Sequence, residues 1–171
     1  NDGGGFDWSL SETGAGTTVE SIDFSLSAQD GFAATAGGEV YRTRDGCQSW
    51  RQVGVPNAET GYTAMLVVPG QPNRVYVGGG GGRIQRLDCD CNRWTPTEAD
   101  TKRVYALAAN SENGRLLGAG ASGRYYEMPE VGRMWDAYET PTSNSLFGAS
   151  PADSSGGVDV LVGGSGTILE R

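Results

Sequence analysis

Short apolar runs alternate with turn-forming residues along the whole chain, and the runs come in sets of three. The first set covers 21–26, 32–38 and 39–43, and similar sets cover 62–68, 74–82 and 83–87, then 104–109, 115–123 and 124–128, then 145–149, 158–166 and 167–171. Runs of this length that are bounded by Gly, Pro, Asn and Asp are typical of β-strands. No stretch sustains a helical period. The pattern therefore predicts an all-β chain.

A repeat of the same period is marked by tryptophan. Trp8, Trp50, Trp94 and Trp135 are separated by 42, 44 and 41 residues. The glycine that starts the third run lies 12 residues before the tryptophan in each internal copy, at Gly38, Gly82 and Gly123. A period of this length with four strands per copy is typical of a propeller blade. The sequence predicts a single domain, 1–171, folded as a small four-bladed β-propeller of four-stranded antiparallel blades.

The two ends of the chain complement one another in this arrangement. The chain stops after a third run and starts with a turn and a tryptophan run, so residues 6–11 are predicted to be the outer strand of the last blade. This N-terminal strand would close the last blade and leave no open sheet edge. The predicted blades are 17–54, 61–98, 102–140, and 144–171 together with 1–11. A fragment of a larger ring is the alternative.

The turn at 43–50 reads Thr-Arg-Asp-Gly-Cys-Gln-Ser-Trp and resembles the Asp-box, the bacterial neuraminidase (BNR) repeat. That pattern is Ser/Thr-x-Asp-x-Gly-x-Thr-Trp/Phe, so Cys47 stands where a second glycine is usual. A short carboxylate can accept N–H groups of the turn it heads, and the tryptophan packs between sheets. The structural residues predicted from the four copies are Asp2, Trp8, Thr43, Asp45, Gly46, Ser49, Trp50, Asp88, Trp94, Glu130, Gly132 and Trp135. The resemblance implies a β-propeller but no single function, because sialidases, photosystem II assembly factors, sorting receptors and xyloglucan hydrolases all carry such boxes.

Composition and charge exclude several classes of function. The 171 residues include 28 glycines and no histidine, and the net charge is −8. An acidic chain without a basic patch repels phosphate backbones, so no nucleic-acid partner is predicted. No apolar run approaches the roughly 18 residues of a membrane span. Without histidine the chain lacks the commonest general base and zinc ligand, and Cys47, Cys89 and Cys91 form no disulfide framework. No metal site and no cofactor are predicted.

The preferred function is a non-catalytic binding or scaffold module for protein or glycan contacts. The face opposite the Asp-boxes collects glycine-rich loops, and the side chains predicted to bind there are Tyr62, Arg83, Arg103 and Arg124. One alternative is a sialidase-like or other glycoside hydrolase, because the resemblance implies an arginine clamp and a Tyr–Glu pair. The other is a virion or cell-surface structural subunit. The acid excess and single lysine favour a halophile, with a GC-rich genome as the alternative. An extracellular, cell-surface or virion location is favoured over a cytoplasmic one, and a homo-oligomer or a larger assembly stays open.

Overall fold

The computed structural model describes residues 8–54, 60–87, 93–97, 100–129, 134–152 and 156–171. Within these ranges the chain forms fifteen strands in four antiparallel sheets. Sheet 1 contains β1 (Val19–Phe24), β2 (Gly31–Thr35), β3 (Val40–Thr43) and β4 (Arg51–Gln52); sheet 2 contains β5 (Tyr62–Val67), β6 (Val75–Gly79), β7 (Ile84–Leu87) and β8 (Trp94–Pro96); sheet 3 contains β9 (Val104–Ala109), β10 (Leu116–Gly120), β11 (Arg124–Met128) and β12 (Asp136–Glu139); sheet 4 contains β13 (Leu146–Ser150), β14 (Val160–Gly163) and β15 (Ile168–Glu170). The all-β prediction is confirmed.

Each sheet is a simple meander in which every strand pairs with the next strand along the chain. The pairing of the first two strands is interrupted at the same place in all four sheets, for example between Tyr62 and Ala64 in β5. Such a bulge adds a residue to one strand and changes the face on which the preceding side chain lies. Among the described residues, helical structure is limited to three single 3₁₀ turns, none long or apolar enough to span a bilayer.

The core lies between the sheets, which stack face to face in chain order. The first strand of each sheet packs against the first two strands of the sheet before it. One cluster, which includes Phe32 and Met65, lies between sheets 1 and 2, and a second, which includes Tyr76 and Leu116, lies between sheets 2 and 3. A smaller cluster around Leu117 joins sheets 3 and 4. The strands are therefore held by three equivalent joints between sheets.

The four tryptophans differ widely in burial. Trp135 is 2% exposed, whereas Trp8 is 98% exposed. Trp94 is partly buried and donates its indole N–H to the Val53 carbonyl at 2.8 Å. Trp50 is also partly buried, and its indole N–H reaches the Ser11 hydroxyl at 3.1 Å. The tryptophans that pack between two sheets are thus those of the second and third repeats.

Sheets 1 and 4 do not close into a ring within the described residues. Their first strands do not pack on each other as those of successive sheets do. Sheet 4 has three strands, and residues 8–11 form no strand; Ser11 instead contacts the Cys47 carbonyl and the Trp50 indole of sheet 1. The predicted pairing of the N-terminal strand with the last sheet is therefore absent for 8–11, because the sheet that this segment precedes lies apart from sheet 4. Residues 6 and 7 lie outside the described ranges, and the number of blades stays a prediction.

A network of ion pairs ties sheet 3 to sheet 4. Asp159 accepts two bonds from the Arg115 guanidinium, at 2.7 and 2.5 Å, and one from Arg171 at 2.9 Å. Arg115 also donates to Glu127 at 2.6 Å. The Asp159 side chain is only 8% exposed, and the Arg115 bonds hold the pKa of its carboxyl far below the usual range. The pair thus spans the joint with little access for water.

Replacing Asp159 with asparagine is expected to lower the free energy of unfolding by about 2 kcal/mol at pH 7, because charge-assisted bonds are lost in a buried place. Since the folded pKa is depressed, the parent loses this stability as the pH falls below about 4, the ordinary value for an aspartate. The stability difference between parent and variant should therefore shrink on acidification. Urea unfolding at pH 7, 4 and 3 measures it, with Glu112→Gln, on an exposed turn, as the charge-matched control. A difference that is constant with pH would contradict the assignment.

Candidate functional site: the glycine-rich mouth

The loops between the second and third strands share one conformation. In sheets 2, 3 and 4 two consecutive residues have positive φ, at 67° and 70°, 58° and 69°, and 54° and 72°; the residues are Gly81 and Gly82, Ser122 and Gly123, and Ser165 and Gly166. The residue just before each pair donates its N–H to a carbonyl that precedes a first strand, as Gly80 does to Gly61 at 3.2 Å. We call this end of the sheets the mouth; it comprises 79–83, 120–124 and 163–167 with the segments 60–61, 100–103 and 140–145. The turns are therefore rigidly attached to the segments beside them.

Glycine is required at two of these turns by the approach of another backbone. A Cβ on Gly82 would lie 2.1 Å from the Asp100 carbonyl oxygen, and one on Gly123 would lie 1.7 Å from that of Thr142. At Gly166 nothing lies within 4 Å of the same position. The segment that enters the next sheet thus crosses directly over the turn in sheets 2 and 3, and the glycines permit this crossing.

Tyr62, predicted to project at the mouth, lies in the core instead. Its side chain is 2% exposed, and its hydroxyl lies 3.0 Å from Oε1 of Gln85. The bulge between Tyr62 and Ala64 places the ring between sheets 1 and 2. The prediction of an accessible ring was wrong because a strict strand alternation across this bulge does not hold.

Arg124 lies at the mouth in a carboxylate pair. Its Nε is 2.8 Å from Asp100, and its Nη2 is 3.1 Å from Glu139. The guanidinium is 25% exposed. It links the segment before sheet 3 to the last strand of that sheet, so its charge is largely neutralised within the protein.

Arg103 and Arg83 flank a single glycine turn of the mouth. Arg103 is exposed, and a Cβ on Gly80 would lie 3.5 Å from its Nη2. Arg83 is partly exposed and directly follows the Gly80–Gly82 turn, donating its N–H back to the Gly80 carbonyl. Neither guanidinium forms an ion pair with another residue of the described ranges. These two cations are therefore the side chains of the predicted set that face solvent at the mouth.

At the opposite end, the turn of sheet 1 has the hydrogen bonds expected of a carboxylate staple. Asp45 accepts the Ser49 N–H at 2.9 Å, the Ser49 hydroxyl at 2.5 Å and the Thr43 hydroxyl at 2.8 Å. The Ser49 hydroxyl is the main reason that the pKa of Asp45 falls to about 2. Gly46 has a φ of 66° and Cys47 a φ of 71°, so cysteine occupies a left-handed position that favours glycine. The predicted residues Asp2, Asp88, Glu130 and Gly132 lie outside the described ranges.

A cavity between sheets 3 and 4 has no counterpart in the sequence predictions. Its volume is about 280 Å³, and its lining includes Leu117, Tyr125, Thr140, Leu161, Leu169 and Arg171. The guanidinium of Arg171 lies 5.4 Å from the centre of the Tyr125 ring. No trio of His, Cys, Asp or Glu side chains suited to a metal ion occurs within the described part of the chain.

Solved structures of low sequence identity share this arrangement of sheets. YCF48 bound to D1 peptide matches with a TM-score of 0.65 and 18% identity, over 96% of this chain and 53% of that chain. The WD40 β-propeller domain of Doa1 matches with a TM-score of 0.73 and 12% identity, over 90% of this chain and 50% of that chain. An ancestral GH74 enzyme matches with a TM-score of 0.62 and 13% identity, over 90% of this chain and 25% of that chain.

These likenesses concern the fold alone. The chain spans between a quarter and about half of the length of these three proteins. No protein-family model matches the sequence, and no curated protein matches it significantly. The chain has the fold of β-propeller proteins, a fold used by enzymes and by non-enzymatic proteins alike.

Proposed function

We propose that this protein is a non-catalytic binding module that holds an acidic segment of a partner protein at the mouth. The observation that carries the proposal is the exposed Arg103 guanidinium, which lies over the Gly80 turn without an ion pair to any described residue. Guanidinium groups bind carboxylates through two parallel hydrogen bonds. The net charge of the chain is −8, so an exposed cation without an ion pair stands out from its surroundings. The peptide carried by the similar YCF48 structure supports a protein segment as the ligand.

The turn beneath Arg103 is suited to this role because it is already fixed. The Gly80 N–H is bonded to Gly61, and the Arg83 N–H is bonded to Gly80. A rigid site loses little conformational entropy when a ligand arrives, so more of the interaction energy appears as affinity. Arg83 on the same turn supplies a second cation for an extended acidic segment. Arg124 holds the neighbouring backbone in place through Asp100.

We also propose that residues 6–11 can supply the fourth strand of a last blade, although Ser11 contacts sheet 1 of its own chain in this structure. The first three sheets each have a fourth strand, whereas no strand of the described residues pairs with the outer edge of β15 in sheet 4. A free edge readily accepts an added strand. The segment's exposed apolar side chains support this pairing, since Trp8 and Leu10 are 98% and 88% exposed.

Fluorescence polarisation with labelled acidic and neutral peptides tests the binding proposal. Arg103→Ala is expected to raise the dissociation constant of the acidic peptide about tenfold, the effect of losing one charge-assisted contact. Arg93→Ala is the matched control, because it removes the same charge from the turn at the other end of the sheets. Equal weakening by both variants would mean that only net charge is sensed, and would contradict the proposal. A glycan array and a panel of glycoside substrates complete the test, since turnover would favour the sialidase-like alternative.

A further inference from the structure

Each joint between two sheets contains a seat for one tryptophan. Trp94, the first residue of β8, packs in the cluster between sheets 1 and 2. Trp135, the residue before β12, packs between sheets 2 and 3 and meets the edge of the Tyr76 ring, with centroids 5.7 Å apart and planes at 89°. In both joints the indole comes from the start of the fourth strand. It fills the space between that strand's own sheet and the sheet before it.

The cavity between sheets 3 and 4 occupies the place of the third seat. Leu117, in the wall of the cavity, occupies the same strand position as Tyr76, which contacts Trp135. Leu161, also in the wall, occupies the same position as Val77, which lies in the cluster with Trp94. The cavity opens beside the free edge of β15. Its leucines and Tyr125 provide the apolar wall that an indole requires.

The segment at residues 8–11 carries the side chain that fits this seat. Trp8 and Leu10 are the two most exposed large apolar side chains of the described residues. Trp8 precedes the first residue of β1 by 11 positions, and the other tryptophans precede the next first strand by 12, 10 and 11 positions. Trp8 therefore stands in the register of a tryptophan that belongs to the sheet before sheet 1.

The two end faces of the stack retain the apolar residues of a joint. On sheet 1, Ile22 is 52% exposed, although its register equivalent Met65 is 5% exposed. On sheet 4, Ile168 is 72% exposed, although its equivalent Ile84 is fully buried. The turn at Gly166 also fits, because it keeps the left-handed glycine that in sheets 2 and 3 is crossed by the segment entering the next sheet. Each end face is thus one half of a further joint.

We infer that a second copy of this chain forms that joint: its sheet 1 docks on the outer face of sheet 4, and its Trp8 inserts into the cavity between sheets 3 and 4. The inference rests on the proposed pairing of the N-terminal segment with the last blade and names the source of that strand. Sheets 1 and 4 of one chain do not pack together, so a second copy can repeat the existing joint without altering it. Two head-to-tail contacts related by a two-fold axis close a ring of eight sheets.

Light scattering coupled to size exclusion, over a series of concentrations, measures the assembly. The expected mass is twice the 17.9 kDa of one chain. Ile168→Glu, on the outer face of sheet 4, should give the single-chain mass, and Trp8→Ala should raise the dissociation constant at least tenfold. Leu26→Glu is the control, because Leu26 is 84% exposed in a loop outside both end faces and should leave the mass unchanged. Both test residues are exposed, so circular dichroism should show that each variant still folds.

A mixing experiment distinguishes a head-to-tail joint from other contacts. The Trp8→Ala chain has an intact sheet 4 face, and the Ile168→Glu chain has an intact Trp8, so their mixture should recover the two-copy mass through one complete joint. A single-chain mass at every concentration would overturn the inference. This result is also expected if Trp8 inserts into the cavity of its own chain. Growth beyond two copies, or an equal effect of Leu26→Glu, would also overturn it. Peptide binding that depends on Arg103 in a single-chain species would leave the proposed function standing while rejecting the second copy.

Discussion

Replacing Trp135 with alanine is expected to lower the free energy of unfolding by about 3–5 kcal/mol, the cost of truncating a buried aromatic side chain. The indole is 2% exposed and packs edge-on against Tyr76 in the joint between sheets 2 and 3. Its removal would leave a cavity that two paired sheets cannot collapse to fill, because their backbones are fixed by their ladders. The loss would weaken both sheets together.

Urea unfolding followed by circular dichroism measures this effect. The same substitution at Trp50 is the matched comparison, because Trp50 is only partly buried and its indole N–H contacts Ser11 rather than the interior of a joint. Trp50→Ala should therefore lower the free energy of unfolding clearly less than Trp135→Ala when both are measured on the single-chain species. Similar costs at the two positions would show that the repeated tryptophan acts through its turn and not through the packing of sheets.

Replacing Gly123 with alanine is expected to lower the free energy of unfolding by about 3 kcal/mol or more. Two effects add, because alanine is strained in a left-handed backbone conformation and its Cβ would overlap a neighbouring backbone. Gly123 has a φ of 69°, and its Cβ would lie 1.7 Å from the Thr142 carbonyl oxygen. This obstacle is backbone, so it can be relieved only by moving the segment that enters sheet 4. The variant should loosen the contact between sheets 3 and 4 as well as the turn itself.

Gly81→Ala controls for the backbone conformation alone. Gly81 has a φ of 67° in an equivalent turn, with nothing within 4 Å of its Cβ position, and serines occupy the same place in the turns of sheets 3 and 4. Gly81→Ala should lower the free energy of unfolding by about 1 kcal/mol. If thermal unfolding gave equal losses for the two variants, the crossing backbone would not be what requires glycine at position 123.

The periodic features of this fold could be predicted from the sequence because every repeat reports them again. Three apolar runs and a fixed glycine-to-tryptophan offset recur, and the structure has the corresponding strands in four sheets. The mouth loops were identified by their glycines for the same reason. The bulge that buries Tyr62 was not predictable in this way, although it recurs in all four sheets, because it adds one residue to a strand without a characteristic residue type to mark it.

Contacts between repeats were less accessible to sequence reasoning than contacts within them. Arg115 and Asp159 are 44 residues apart, and only the stacking of sheets 3 and 4 brings them together. The equal spacing of the tryptophans predicts equal roles, yet their exposure runs from 2% at Trp135 to 98% at Trp8, because burial depends on the sheet that lies next to each. Of the predicted binding residues, Arg83 and Arg103 face solvent, whereas Arg124 is paired.

The ion pairs of sheets 1 and 3 use the same two positions with reversed signs. In sheet 1 the pair is Asp30 with Arg42, at 2.6 Å, and in sheet 3 the register places Arg115 where Asp30 stands and Glu127 where Arg42 stands. In the structure sheet 4 packs on sheet 3, and Asp159 is bonded to Arg115. If sheet 4 packed on sheet 1 in the same way, Asp159 would lie against Asp30. Repeats with nearly interchangeable backbones are prone to assemble in the wrong sequence during folding. Because the two signs are reversed, Asp159 is attracted to Arg115 of sheet 3 and would be repelled by Asp30 of sheet 1, which disfavours an intermediate with sheet 4 packed on sheet 1.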